Sequence, residues 1–336
     1  QLIFINQARC KIDFSSIPTK NKKILSFETK NFIDTYKSIY HLATSKYIFV
    51  DNYVGILSTV QFRKDVKCVQ LWHAAGAIKR FGWSDPTTID RSEQAKTRFQ
   101  QVYDRFHFIP VGSKQMAQIF TESFHLDQNR FLYTGVPQTD FYFDSIAKTK
   151  SLFRVGETYP SIQGKKIVLY APTFRKDELE KMNFKFDIDQ FLERLDEKYV
   201  LLIRLHPSVK DVTHIKRHPR VLVVNDYPHV NELMIASDIL VTDYSSIPFE
   251  FSLLRKKMIF FTYDLASYDK EQGLWDETSL SFPGPIVKTT SEVIDHILDP
   301  TIDFQKIDSF KNHWNTFSTG HATKTLISMI YDDNDL

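Results

Sequence analysis

Glycine is scarce here, with ten in 336 residues, and neither a GxGxxG nor a GxxxxGK[ST] segment occurs. That excludes the two common glycine-rich phosphate loops. Any phosphate must instead be held by helix N-termini, hydroxyls and basic side chains. Cysteine is scarcer still: Cys10 and Cys68 stand far apart, with no metal-ligand spacing. The expectation is two buried free thiols in a reducing compartment, with no resident metal. Charge is nearly balanced, 43 basic against 41 acidic residues, net +2. With no basic stripe interleaved by aromatics, this gives no case for a nucleic-acid partner. No apolar run approaches the roughly 18 residues that would span a bilayer. No signal-peptide pattern is present either. The chain starts at Gln1 rather than Met, which leaves open what precedes it.

Present instead are many aromatics, 28 Phe and 15 Tyr, in a chain 42% apolar. The length suits two domains with aromatic-rich cores. Short apolar runs alternate with helical periodicity. Leu2–Asn6, Lys23–Phe27, Tyr47–Val50, Cys68–Trp72 and Phe106–Pro110 read as strands, with helices over Thr35–Ser45 and Glu93–Tyr103. The mixed, polar stretch Phe141–Lys165 reads as an inter-domain linker. Alternation then resumes. Ile167–Ala171, Tyr199–Leu205, Val221–Val224, Ile239–Thr242 and Met258–Phe261 read as strands, and Asp187–Leu195, His229–Ile235 and Ser246–Leu254 as helices. The tail Phe304–Tyr331 reads as helical, interrupted near Ser318-Thr319-Gly320. Such alternation predicts α/β domains with doubly wound parallel sheets. The expected boundaries are 1–145, 146–305 and a C-terminal helical tail, 306–336, packing back on the N-terminal domain. Two Rossmann-like domains facing a central cleft, followed by such a tail, form the pattern of the GT-B architecture.

Three apolar runs end abruptly in ionisable, small or hydroxyl residues, as strands do at the carboxyl edge where open α/β sheets bind ligands. The first ends in Trp72-His73-Ala74-Ala75-Gly76. A histidine beside a tight turn can take a proton from an attacking hydroxyl. The second ends in Arg204-Leu205-His206-Pro207, whose alternation places two cationic groups on one side, as a pyrophosphate requires. The third ends in Asp243-Tyr244-Ser245-Ser246, where Ser245 can cap the next helix and Ser246 can meet phosphate oxygens. Ala171-Pro172-Thr173-Phe174-Arg175 is a further strand end. Ile78-Lys79-Arg80-Phe81-Gly82-Trp83 mixes cations with bulky apolar groups and reads as an amphipathic surface suited to anionic lipid headgroups. Lys20, Lys22 and Lys23 form a second basic cluster. Together the motifs suit transfer of a phosphate-containing group.

As an ordered set, the motifs resemble the CDP-glycerol glycerophosphotransferases of wall teichoic acid synthesis. The resemblance is carried by residues 72–82, 111–113, 135–140, 170–175, 205–207 and 242–251, and spans roughly 45–330. Gln138 departs from the family's usual arginine, and His321 from its C-terminal Gly-Asn-Ala/Ser turn. Within the family the motif wording and the short length look most like the glycerol-phosphate primases. The resemblance implies a GT-B fold, CDP-glycerol as donor, and an undecaprenyl-diphosphate-linked N-acetylmannosaminyl-N-acetylglucosamine acceptor. It also implies peripheral attachment to the anionic cytoplasmic face of a bacterial membrane. His73 would be the general base; His206, Ser245 and Ser246 would hold the pyrophosphate as CMP leaves. Gly76, Thr173, Arg204 and Pro207 would be further substrate contacts, and Asp243 would orient its turn. A divalent cation assisting the pyrophosphate is left open. Two rival readings are a polymerase and a GT-B sugar transferase using a UDP- or GDP-sugar, with Glu232 or Glu250 at the ribose.

Overall fold

The computed structural model describes residues 1–7, 10, 13–27, 31–173, 175, 185–206, 209, 212–213, 215–275 and 282–331. Pro207 and Phe174 lie outside the described residues. The chain divides into two compact units.

The first unit takes residues 1–73 and 91–109. Strands β1 (Leu2–Gln7) and β2 (Lys22–Phe27) pair in parallel, as do β3 (Tyr47–Val50) and β4 (Lys67–Gln70). Helix α1 (Phe32–Thr44) packs on β2, with Asn31 accepting from the Asp34 N–H at its start. Helix α2 (Glu93–Tyr103) is capped by Ser92 in the same way. The core holds Leu42, Ile48, Leu57, Val69, Val102 and Phe106. Cys68 is buried among them and Cys10 is half-buried; both are free thiols. Burial pushes the Cys68 thiol up to about 12, only partly offset by the Arg105 charge, so it stays protonated and unreactive. The strand expected to reach Trp72 stops at Gln70, because Trp72 adopts φ +60°, which no extended strand accommodates.

The second unit takes residues 74–90 and 110–336. Its early part carries the edge of the short strand β5 (Ile109–Pro110), then α3 (Lys114–Phe124), β6 (Phe131–Leu132) and α4 (Ser145–Thr158). Next come β7 (Lys166–Ala171), α5 (Ile188–Arg194), β8 (Tyr199–Ile203), β9 (Val221–Val223), α6 (Val230–Ala236), β10 (Ile239–Thr242), α7 (Ile247–Phe251), β11 (Lys257–Phe261), α8 (Leu265–Gln272), β12 (Ile286–Val287) and α9 (Thr290–Leu298). Helices α10 (Phe304–Trp314) and α11 (Ala322–Ile330) close the chain.

Strands β7 to β12 form one sheet in the order β12-β11-β10-β7-β8-β9, with every pair parallel. Both faces are covered, so these strands need unbroken apolar runs rather than alternation. One face buries Val168, Tyr170, Leu201, Ile203 and Val241 against α5 and α9 residues such as Phe191, Val293 and Ile297. The other buries Leu169, Ala171, Leu202, Leu240 and Phe260 against Val155 of α4, Leu233 of α6, Phe251 of α7 and Ile307 of α10. The strand order reverses between β7 and β10. The carboxyl ends of these two strands therefore open a crevice at the topological switch point, where doubly wound sheets bind ligands.

Two sequence expectations are corrected. The segment read as a linker contains a fourteen-residue helix, α4, capped by Asp144 and packed on α6. The helix expected over Ser246–Leu254 splits into α7 and a 3-10 turn at Ser252–Leu254. The tail breaks where expected: Gly320 takes φ +89°, and the N–H groups of Ala322 and Thr323 donate to the Asp140 carboxylate at 2.8 Å each. Gly135, at φ +83°, approaches the Phe317 carbonyl so closely that a Cβ would lie 2.5 Å from its oxygen.

Candidate functional site

The crevice is built from three strand ends. Beyond β7, the Thr173 N–H donates to Asp243 Oδ1 at 2.8 Å, and the Thr173 hydroxyl donates to the same oxygen. Beyond β10, the Tyr244 N–H donates there too, at 2.7 Å, while Asp243 itself is 1% exposed. Asp243 thus ties together the two strand ends that flank the switch point. Its other oxygen pairs with Arg175 at 2.9 Å. Arg175 also forks onto Asp264, Nε to Oδ2 at 2.7 Å and an Nη to Oδ1 at 3.1 Å, and donates to the Thr173 carbonyl. The Tyr244, Tyr263 and Tyr268 rings surround its guanidinium, with centroids at 4.6–5.5 Å. Two carboxylates and three aromatic faces therefore neutralise and fix this cation. The sequence showed Arg175 as a strand-end cation, but its partner Asp264, 89 residues on, gave no local signal.

Ser245 and Ser246 sit at the start of α7. The Ser245 hydroxyl accepts from the Ile247 N–H at 3.2 Å, so Ser245 supplies the cap, and Ser246 occupies the boundary position with no capping bond. Beyond β8, Arg204 is half-buried and donates through one terminal nitrogen to the Val224, Asn225 and Tyr227 carbonyls. Asn225 returns the bond by accepting from the Leu205 N–H at 2.8 Å. The sequence gave Arg204 to the substrate; the structure spends that nitrogen on the loop after β9. His206, next along, is at the surface. Desolvation first, then the Lys79 charge, lowers its pKa, which favours the neutral imidazole.

Lys79 is the residue that sequence reasoning placed wrongly. Ile78 to Arg80 form a short antiparallel ladder with Gly273 to Trp275: Arg80 N–H to Gly273 O and Trp275 N–H to Ile78 O are both 2.9 Å. This pins Lys79 in place. Its ammonium lies 5.3 Å from the Tyr268 ring centroid and interacts electrostatically with Asp243, Arg175 and His206. Desolvation, partly countered by Asp243, brings its pKa down to about 8. The expected lipid-facing patch fails on its apolar members also. Phe81 packs edge-on to Phe120 and Phe124 of α3, and Trp83 stacks on His125 at 5.0 Å.

Gly76 is buried, and a Cβ there would meet the Phe249 ring of α7 at 2.4 Å. Its smallness is required by that packing. Glu232 accepts from Tyr227 and Arg154, and Glu250 accepts from Gln138 at 2.6 Å and Tyr142 at 2.8 Å. Desolvation carries Glu250 up to about 7 despite those two bonds. Both carboxylates are thus engaged by their own chain. Among the described residues, no three His, Cys, Asp or Glu side chains cluster as a metal site.

His73 belongs to the first unit. It is exposed, stacks on Trp72 at 4.3 Å, and its Nδ1 lies 3.2 Å from the Asp51 carbonyl oxygen. A carbonyl can only accept, so Nδ1 carries the proton and donates. In the neutral ring that leaves Nε2 with its lone pair outward, the tautomer a general base needs.

A switch-point crevice at the strand ends of an all-parallel sheet, lined by hydroxyls and paired charges, defines a doubly wound α/β domain. Residues 10–332 match the family described as CDP-Glycerol:Poly(glycerophosphate) glycerophosphotransferase, and the chain belongs to that family. It is 38% identical to the teichoic acid glycerol-phosphate primase of Bacillus subtilis (strain 168), over 90% of this chain and 78% of the relative. It is 32% identical to the teichoic acid poly(ribitol-phosphate) polymerase of Bacillus spizizenii, over 90% of this chain and 49% of that protein. A structure of the wall teichoic acid polymerase TagF, H444N variant, superposes with a TM-score of 0.77 at 22% identity, covering 92% of this chain and 76% of that one. That likeness establishes a shared α/β fold with parallel sheets.

Proposed function

We propose that this enzyme transfers one glycerol phosphate from CDP-glycerol to an undecaprenyl-diphosphate-linked N-acetylmannosaminyl-N-acetylglucosamine, releasing CMP in wall teichoic acid synthesis. The observation carrying this reading is the 38% identity, along nine-tenths of the chain, to a protein named as a glycerol-phosphate primase. The crevice chemistry supports it. His73 Nε2 accepts the proton of the acceptor hydroxyl. The freed oxygen attacks the phosphorus bearing glycerol, the phosphoanhydride bond breaks, and its electrons leave with CMP. In this reading His206, Ser245 and Ser246 hold the diphosphate. Asp243 and Arg175 keep Thr173 and the strand ends in place. Positioning and charge stabilisation carry most of the rate in such transfers.

The same reading takes the architecture as GT-B, with the acceptor domain over 1–145, the donor domain over 146–305 and the tail over 306–336. The switch-point crevice supports donor binding on the later sheet. The sugar-transferase alternative would need a free carboxylate at the ribose, whereas Glu232 and Glu250 are both engaged. Product length separates primase from polymerase. With excess CDP-glycerol and a synthetic lipid-linked disaccharide, mass analysis should find one added unit per acceptor. A ladder of products would contradict the primase reading.

The acceptor's lipid anchor calls for a membrane contact, yet among the described residues no helix is long and apolar enough to cross a bilayer. Helix α1 offers the better surface. Phe32, Ile33, Tyr36 and Tyr40 are 74%, 66%, 75% and 64% exposed, on one helical face beside exposed Lys37. Lys22 and Lys23 of the expected basic cluster are instead occupied, Lys22 by the Phe14 and Ile17 carbonyls and Lys23 by His41. Each buried aromatic is worth about 1.5–3 kcal/mol. Replacing Phe32 and Tyr36 together by serine should therefore weaken binding to anionic vesicles at least roughly 100-fold. Unchanged binding would remove α1 as the contact, and no vesicle binding by the wild type would reject peripheral attachment.

A further inference from the structure

We infer that Lys79 is a ligand of the donor's diphosphate and supplies the positive charge of the crevice; this rests on the CDP-glycerol reading above. The geometry leads there by elimination. Three basic side chains stand by the crevice: Arg175, Arg204 and Lys79. Arg175 is neutralised by Asp243 and Asp264. Arg204 is turned onto the Val224, Asn225 and Tyr227 carbonyls. Lys79 alone of the three makes no hydrogen bond to any described residue; its one close partner is the face of Tyr268. A half-buried ammonium with its three protons unspent is poorly solvated and incompletely paired. A phosphate oxygen satisfies both deficits.

The backbone explains why the charge stays there. The ladder between 78–80 and 273–275 fixes the direction of residue 79, with Ile78 buried in the core and the Arg80 Nε donating to the Leu274 carbonyl. Lys79 thus reaches the switch point from a segment that is neither of the flanking strand ends. It faces Asp243 beyond β10, Arg175 beyond β7, His206 beyond β8 and Tyr268 of α8. The arrangement also gives His206 a role that depends on the donor. Desolvation and then the Lys79 charge disfavour the His206 imidazolium, and a diphosphate that compensates the Lys79 charge would favour it.

The signature is a pH dependence of donor affinity. The ammonium of the free enzyme loses its proton near pH 8. A phosphate contact raises that pKa, so binding is favoured below it and weakens above it. Tyr244 and Tyr268 are shifted upward by burial and His206 downward, so none of these neighbours titrates in that window. Calorimetry of CDP-glycerol binding to the full chain, at about pH 7, 8 and 9, tests this. Wild-type affinity should fall about tenfold across the range. Lys79→Met should bind about 10–100-fold more weakly at pH 7, with a flat profile. Lys79→Arg, which keeps its charge throughout, should bind and also lose the pH dependence; it carries the test if Lys79→Met fails to fold. Wild-type-like affinity in Lys79→Met, or a retained fall in affinity in Lys79→Arg, would overturn the inference. Wild type that binds no CDP-glycerol at any pH would instead overturn the donor assignment itself, a result distinct from either variant's failure.

Discussion

His73→Ala should lower turnover by about 10²–10⁴, the usual cost of a lost general base, while CDP-glycerol affinity stays at the wild-type level. Among the described residues the ring is anchored by the bond from Nδ1 to the Asp51 carbonyl and by stacking on Trp72. Both contacts orient it and leave Nε2 as the acceptor. Alanine removes that acceptor and leaves the Thr173, Asp243 and Arg175 contacts as they are. His206→Ala should give the opposite signature, with donor affinity falling along with the rate. Steady-state kinetics paired with calorimetry separates the two. Collapse of donor affinity in His73→Ala would transfer His73 to the donor site, and full turnover would remove it as the base.

Asp243→Ala should destabilise the protein by about 3–5 kcal/mol, the range for removing one partner of a buried ion pair. The carboxylate is 1% exposed and satisfies two backbone N–H groups, one hydroxyl and the Arg175 guanidinium. Alanine leaves the Thr173 and Tyr244 N–H groups without their acceptor and Arg175 with Asp264 alone. Asp243→Asn keeps the Oδ1 acceptor and should lose less. Urea unfolding of both variants measures this. A wild-type midpoint for Asp243→Ala, combined with lost activity, would mean that Asp243 acts on the substrate rather than holding the strand ends together.

The central sheet was legible because of how it is buried. With helices on both faces, β7, β8, β10 and β11 are unbroken apolar runs, and each ends at the residue type that faces the crevice. Strands β6 and β12, two residues each, are too short to leave a pattern. Helix α4 was taken for a linker because it buries only Ser151 and Val155 and exposes Ile146, Leu152 and Phe153, which blurs its apolar face. Among the candidate residues, His206, Thr173, Asp243, Ser245 and Ser246 were each singled out by a position at a strand end, as was His73 in the first unit. Lys79 was not. Its orientation is decided by a ladder to Leu274, 195 residues further on, and in sequence its neighbours Phe81 and Trp83 suggest a surface. The backbone bonds of Arg204 were illegible for the same reason: the carbonyls that its terminal nitrogen meets follow β9, not β8.

The central claim is that the crevice serves CDP-glycerol. Its most direct test is nucleotide release by the purified chain, given a lipid-linked disaccharide and, in parallel, CDP-glycerol or a UDP- or GDP-sugar. CMP should form from CDP-glycerol in step with a product heavier by one glycerol phosphate, with no turnover of the sugar nucleotides. Turnover of a sugar nucleotide with none of CDP-glycerol would contradict it.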